Sequence, residues 1–148
     1  MIFKNVLIAI DDSSQASAAL DLAIELAKAV GAALTIVHAM DPALVASAAV
    51  DTAAAATTMQ MEIDELQDAG KELLDGAVAR ARAAGVEATP VLRDGAPAAT
   101  ILETARRSAC DLIVIGTHGR HGIKRVFLGS CAEAVVRDSN IPVLVKRS

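Results

Sequence analysis

Asp111-Leu-Ile-Val-Ile-Gly-Thr-His-Gly119, followed after nine residues by Gly129-Ser130, decides how this chain is read. The apolar run Leu112 to Ile115 has the look of a buried strand. It stops at Gly116, and a new helical pattern opens at Ser130. Glycines at such points allow tight turns and close approach of backbone to a ligand. The first amides of a helix starting at Gly129-Ser130 lack intrahelical partners and carry the positive end of the helix dipole. Strand, glycine loop and helix start together form a phosphate cradle that needs no lysine.

Outward from this segment the chain alternates strand and helix. Val6 to Ile10 is a short continuous apolar run, as expected of a strand covered on both faces. Asp12 or Ser13 can cap the next helix, with Gln15 placed for a capping-box return from Asp12. That helix has the inward stripe Leu20, Ala23, Ile24 and Ala27, and Gly31 ends it. Ala33 to His38 reads as the second strand and Val86 to Leu92 as a third, weaker one. Pro97 suits a first helical turn, continued by Ile101, Leu102 and Ala105. Ser130 to Arg137 reads as a last helix and Pro142 to Lys146 as a fifth strand. Asp41 to Thr58 breaks the rhythm; rich in Ala with few large apolar anchors, it is expected to be a mobile excursion or a frayed helix before a better helix from Met59 to Ala84.

This alternation argues for an α/β domain, a parallel sheet wrapped by right-handed crossovers, with no linker dividing residues 1–148. Open sheets of this kind bind ligands beyond the carboxyl ends of their strands, where the strand order reverses. With the order 3-2-1-4-5 that crevice lies between strands one and four. Asp11 at the end of the first strand and the glycines after the fourth would then face one cleft.

Composition narrows the function classes. The formal charge of −4 offers no basic face for nucleic acid, and two Phe with no Tyr or Trp leave little for base stacking. No stretch reaches the ~20 apolar residues of a spanning helix. The N-terminus lacks a signal-peptide layout, so the cytoplasm is the expected location. Cys110 and Cys131 are too few for a disulfide framework and have no CxxC or His-rich spacing for a metal. Cys131 stands near a helix N-terminus, a setting that can lower a thiol pKa, although small-residue packing is the favoured role.

With these residues in view, the chain resembles the universal stress proteins of the ATP-binding class. The resemblance runs from Val6-Leu-Ile-Ala-Ile-Asp11 to Ile141-Pro-Val-Leu-Val-Lys-Arg147, and its specific part is the motif Gly116, Gly119, Gly129 and Ser130. It implies a Rossmann-like domain with an open parallel five-stranded sheet, order 3-2-1-4-5, and helices on both faces. It also implies ATP or a related adenine nucleotide, with Mg2+ or Mn2+ bound through the phosphates. By position, Ala9, Ile10 and Asp11 would line the adenosine, with Asp11 accepting hydrogen bonds from the ribose hydroxyls. Ala39 would contact adenine, and Ile115 and Gly116 would flank base and ribose. Backbone amides around Gly119, Arg120, Gly129 and Ser130 would hold the phosphates, followed by Cys131 and Ala132. His118 lies within the motif and is counted with the site, with a solvent-facing role as its alternative. Arg120, His121, Lys124 and Arg125 form a basic loop that could steer a polyphosphate or simply be solvated. Two departures stand out: Asp12 replaces a frequent glycine, and Ala132 lacks the hydroxyl found in some relatives.

The Walker pattern GxxxxGK[ST] and the kinase HRD and DFG sets are absent from the sequence. Binding is therefore expected rather than turnover, in a stress-response module that signals to an unknown regulatory partner. The alternatives are a slow ATPase or phosphotransferase using the same site, and a structural dimerisation module without nucleotide. The apolar fifth strand, Ile141 to Lys146, at a sheet edge points to a homodimer, as the resemblance also does.

Overall fold

A computed structural model describes residues 2–41, 53–117 and 128–147 of the chain. The described elements run β1 (Asn5–Ala9), α1 (Ser14–Val30), β2 (Ala33–Met40), α2 (Ala53–Ala83), β3 (Ala88–Asp94), α3 (Pro97–Arg107), β4 (Leu112–Gly116), α4 (Ser130–Asp138) and β5 (Val143–Lys146). The five strands form one sheet in the order β3-β2-β1-β4-β5, and every pairing is parallel.

Side-chain alternation along the strands builds two apolar layers. Val6, Ile8, Leu34, Ile36, Leu112 and Val114 face α1 and α2, packing against Leu20, Ala23, Ile24, Leu74, Val78 and Ala81. Leu7, Val37, Ile113 and Ile115 face the other way, against Ile101 and Ala105 of α3 and Ala132 and Val135 of α4. The central strands are thus apolar on both faces because helices cover both.

Helix α1 stops where Gly31 adopts a left-handed φ of 73°, a conformation that carries no side-chain penalty at glycine. Helix α2 starts earlier than its apolar pattern suggests. Residues 42–52 of the irregular stretch lie outside the described residues, and Ala53 to Thr58 already belong to α2. Alanine has high helix propensity, and the Thr57 and Thr58 hydroxyls donate to the carbonyls of Ala53 and Ala54, so these threonines do not interrupt the helix. Further along, Gly70 lets α2 settle onto the sheet: a Cβ there would stand 2.9 Å from Leu92 Cδ1 and 3.1 Å from His38 Cδ2.

The amino end of the sheet is closed by side chains. The Asp111 carboxylate accepts from the backbone amides of Lys4 (2.8 Å) and Asn5 (3.2 Å), tying the starts of β1 and β4 together. Asn5 Nδ2 donates to the Ser108 carbonyl, and the Thr35 hydroxyl donates to Asn5 Oδ1. The carboxyl end is built differently.

Candidate functional site

The order reverses at β1, whose two neighbours are β2 and β4, so the crevice beyond the carboxyl ends of β1 and β4 is the switch point. β1 delivers Ala9, Ile10 and Asp11 to it. Ile10 is buried, its N–H donating to the Val37 carbonyl at 2.9 Å. Its own carbonyl accepts from His38 Nδ1 at 2.8 Å, so His38 buttresses the ends of β1 and β2. Ala39, partly exposed, follows His38 on the cleft edge of β2.

Asp11 is partly buried and oriented: its Oδ1 accepts the Ser13 N–H at 2.8 Å. Ser13, not Asp12, caps α1, its hydroxyl accepting the Ala16 N–H at 3.1 Å. The capping box between Asp12 and Gln15 does not form, because the cap lies one residue later and Gln15 falls within the first helical turn.

β4 brings Ile115, which is buried, and Gly116, where a Cβ would stand 3.5 Å from the Gln15 carbonyl. The end of β4 therefore lies directly against the first turn of α1. Thr117 joins the strand end to the last helix: its N–H donates to the Lys146 carbonyl at 3.1 Å, and its carbonyl accepts the Gly129 N–H at 2.6 Å. This link is not legible from sequence, where Thr117 reads as a spacer inside the glycine motif. His118, Gly119 and Arg120, together with His121, Lys124 and Arg125, lie outside the described residues.

Gly129 is the N-cap of α4, with φ −63° and ψ 160°, and no side-chain cap bond is made to this helix among the described residues. The Ser130, Cys131 and Ala132 amides occupy its first turn, where no intrahelical acceptor exists. Among the described residues nothing else accepts from them. Ser130 is exposed, Cys131 half-buried, and the Ala132 side chain packs into the core. A hydroxyl missing at Ala132 is thus a group replaced by core packing.

The thiol of Cys131 is held above the ordinary cysteine pKa, first by burial and then by the negative charge of Asp11. Ala9 at the end of β1 and Cys131 at the start of α4 pack against the same apolar cluster, so the two ends meet at one side of the sheet. The structure thus gathers Ala9, Ile10, Asp11, Ile115, Gly116, Gly129, Ser130, Cys131 and Ala132 around the switch point, with Ala39 one strand away. A carboxylate on one wall and open helix amides on the other can hold a ligand with vicinal hydroxyls at one end and an anion at the other. Among the described residues no group of three or more His, Cys, Asp or Glu side chains is placed to hold a metal ion, and no helix is long and apolar enough to cross a membrane.

Comparison with known proteins agrees with this architecture. The profile of the universal stress protein family matches residues 2–147. The universal stress protein YxiE of Bacillus subtilis is 34% identical over 158 aligned positions, spanning 98% of this chain and 99% of YxiE. A universal stress protein from Archaeoglobus fulgidus, solved in complex with dAMP, superposes with a TM-score of 0.70 at 27% identity, covering 98% of each chain. Another, solved in complex with cAMP, superposes with a TM-score of 0.69 at 27% identity, covering 99% of this chain and 98% of that one. Spanned from end to end by the family profile and by a full-length relative, this chain belongs to the universal stress protein family.

Proposed function

We propose that the cleft binds an adenine nucleotide, ATP in the first instance, and that the chain is a cytoplasmic regulatory module whose nucleotide state is read by a partner protein. The observation that carries this reading is the convergence of the ends of β1 and β4 on the uncapped first turn of α4: the Thr117 carbonyl accepts the Gly129 N–H, and Ala9, two residues before Asp11, packs with Cys131 against one apolar cluster. An oriented carboxylate suits the two ribose hydroxyls, which are donors. The Ser130, Cys131 and Ala132 amides suit phosphate oxygens, which are acceptors. The dAMP and cAMP complexes of related proteins support the adenine assignment. Ala9, Ile10, Ala39, Ile115 and Gly116 would then enclose base and ribose, and His118, Gly119 and Arg120 would complete the phosphate side. Mg2+ or Mn2+ would enter on the phosphates and offset part of their charge.

Calorimetry on the intact chain tests the ribose assignment. Asp11→Ala should weaken ATP by about tenfold or more, the loss of charged hydrogen bonds worth ~1.5–3 kcal/mol. A dideoxy analogue should lose far less. Equal losses for both ligands refute a ribose role for Asp11.

The same reading includes a homodimer through β5. Ile113 N–H donates to the Pro142 carbonyl and Thr117 N–H to that of Lys146, so in this parallel ladder Val143 and Val145 turn their backbone groups away from β4. Leu144 is 37% exposed and Val136, on the flanking helix α4, is 44% exposed. An open strand edge with apolar neighbours favours pairing with a second copy. Light scattering should give twice the chain mass, with slow amide exchange at Val143 and Val145. A monomer with fast exchange there refutes the interface.

A further inference from the structure

The ladder between β1 and β2 ends one rung early, and a side chain stands in for the missing rung. In this parallel pair the register runs from Asn5 opposite Ala33 to Ala9 opposite Val37. The last backbone bond is donated by the Ile10 N–H to the Val37 carbonyl at 2.9 Å. A regular parallel ladder would continue with the Ala39 N–H donating to the Ile10 carbonyl. That bond is not made. The Ile10 carbonyl accepts from His38 Nδ1 at 2.8 Å instead.

The consequence falls on Ala39. The Leu34 N–H donates to the Glu87 carbonyl and the Gly95 N–H to the Met40 carbonyl, so the even-numbered residues of β2 turn their backbone groups toward β3. The Ala33 N–H donates to the Lys4 carbonyl, so the odd-numbered residues turn theirs toward β1. Ala39 therefore directs its N–H past the end of β1, and among the described residues this donor has no acceptor. The imidazole that causes this is held from behind by α2. Gly70 leaves the room the ring occupies, since a Cβ there would stand 3.1 Å from His38 Cδ2 and 3.7 Å from Nε2.

We propose that His38 is a positioning residue of the cleft and sets its preference among bases. By taking the Ile10 carbonyl it keeps the Ala39 N–H free for an acceptor nitrogen of a bound base. The same bond fixes the peptide plane between Ile10 and Asp11. The base preference rests on the adenine-nucleotide reading of the cleft; the ending of the ladder does not. N1 of adenine is an acceptor, whereas N1 of the inosine base carries a hydrogen. His38→Leu strips the Ile10 carbonyl of its donor, a loss that the Ala39 N–H can make good by closing the rung. His38→Asn keeps a side-chain N–H to occupy the carbonyl.

Amide hydrogen exchange of the intact, ligand-free chain tests the ladder first. The Ala39 amide should exchange about tenfold or more faster than those of Val37 and Met40, in the unaltered chain and in His38→Asn, and should slow by a similar factor in His38→Leu. Slow exchange of Ala39 in the unaltered chain, or in His38→Asn, overturns the proposal, as does unslowed exchange in His38→Leu. Should His38→Leu lose the native spectrum, the unaltered chain and His38→Asn decide. Calorimetry with ATP and inosine triphosphate, which share ribose and phosphates, then tests the base. His38→Leu should weaken ATP by about fivefold to tenfold and inosine triphosphate by less than about twofold, while His38→Asn holds ATP within about twofold. Equal losses for both nucleotides in His38→Leu would mark a general loss of packing and overturn the base preference. If the unaltered chain binds neither nucleotide, the nucleotide reading fails and takes the base preference with it; Ala39 exchange, which needs no ligand, still decides the role of His38 in the ladder.

Discussion

Helices α1 and α4 both begin at the carboxyl edge of the sheet, after the adjacent strands β1 and β4, yet their first turns are finished in opposite ways. α1 is completed by its own side chains: the Ser13 hydroxyl accepts from Ala16, and Asp11 accepts from Ser13. α4 begins at a glycine that offers no side chain, and its first three amides have no acceptor among the described residues. α3 differs from both, since Pro97 at its start dispenses with one of the donors that would need capping. A side-chain cap is typically worth about 1 kcal/mol, so an uncapped helix start forgoes that stability. In α4 the forgone cap coincides with a strand carboxylate, Asp11, whose charge is felt in its first turn. The arrangement is what an anion site requires, and it explains why the two helix starts of one cleft are not alike.

Exchanging the two helix starts should produce the largest effect. Gly129→Asp places a carboxylate cap on α4, where it would take the open amides and repel phosphate. ATP binding in calorimetry should fall by about a hundredfold or more, with thermal stability kept or raised. Ser13→Gly does the reverse at α1: it removes a cap while leaving the Ser13 backbone N–H for Asp11. Stability should drop by a few tenths of a kcal/mol, roughly the cap-to-Gly difference, and ATP affinity should hold. Unchanged ATP affinity in Gly129→Asp would break the contrast between the two ends.

A smaller effect sharpens the same contrast. Burial and the Asp11 charge both hold the Cys131 thiol up, so at neutral pH it stays protonated and alkylates slowly, the rate climbing only above the usual thiol range. Asp11→Asn removes the negative charge, so the pKa falls and alkylation at a fixed pH speeds up. Cys110 serves as the internal control, since burial and Asp111 raise its pKa against a lowering hydrogen bond to Thr35. Its rate should not respond to Asp11→Asn. Equal acceleration of both thiols, or of neither, would show that Asp11 does not sit beside Cys131.

Much of this architecture is legible in the sequence. The apolar runs at β1, β2 and β4, Gly31, Pro97 and the glycine motif mark their elements, because a strand covered on both faces and a helix end each need particular residue types. The start of α2 is not legible by apolar periodicity, since Ala53 to Thr58 form helix by propensity and internal hydroxyl bonding. The cap of α1 is Ser13 and not its alternative Asp12, a choice open in the sequence because two adjacent residues can each cap and only the fold selects one. The raised pKa of Cys131 escapes the sequence for another reason: it depends on Asp11, a residue of a different strand.

The central claim is that Asp11 and the first turn of α4 grip the two ends of one adenine nucleotide. Backbone amide NMR of the intact chain during titration with ATP and Mg2+ tests it most directly. The account predicts that the amides of Asp11, Ser13, Gly116, Ser130, Cys131 and Ala132 shift together along one saturating curve. Asn5, Thr35 and Asp111, at the closed amino end of the sheet, should stay in place. No saturable shift at Ser130 to Ala132, or shifts centred on the Asn5–Asp111 end, would contradict it.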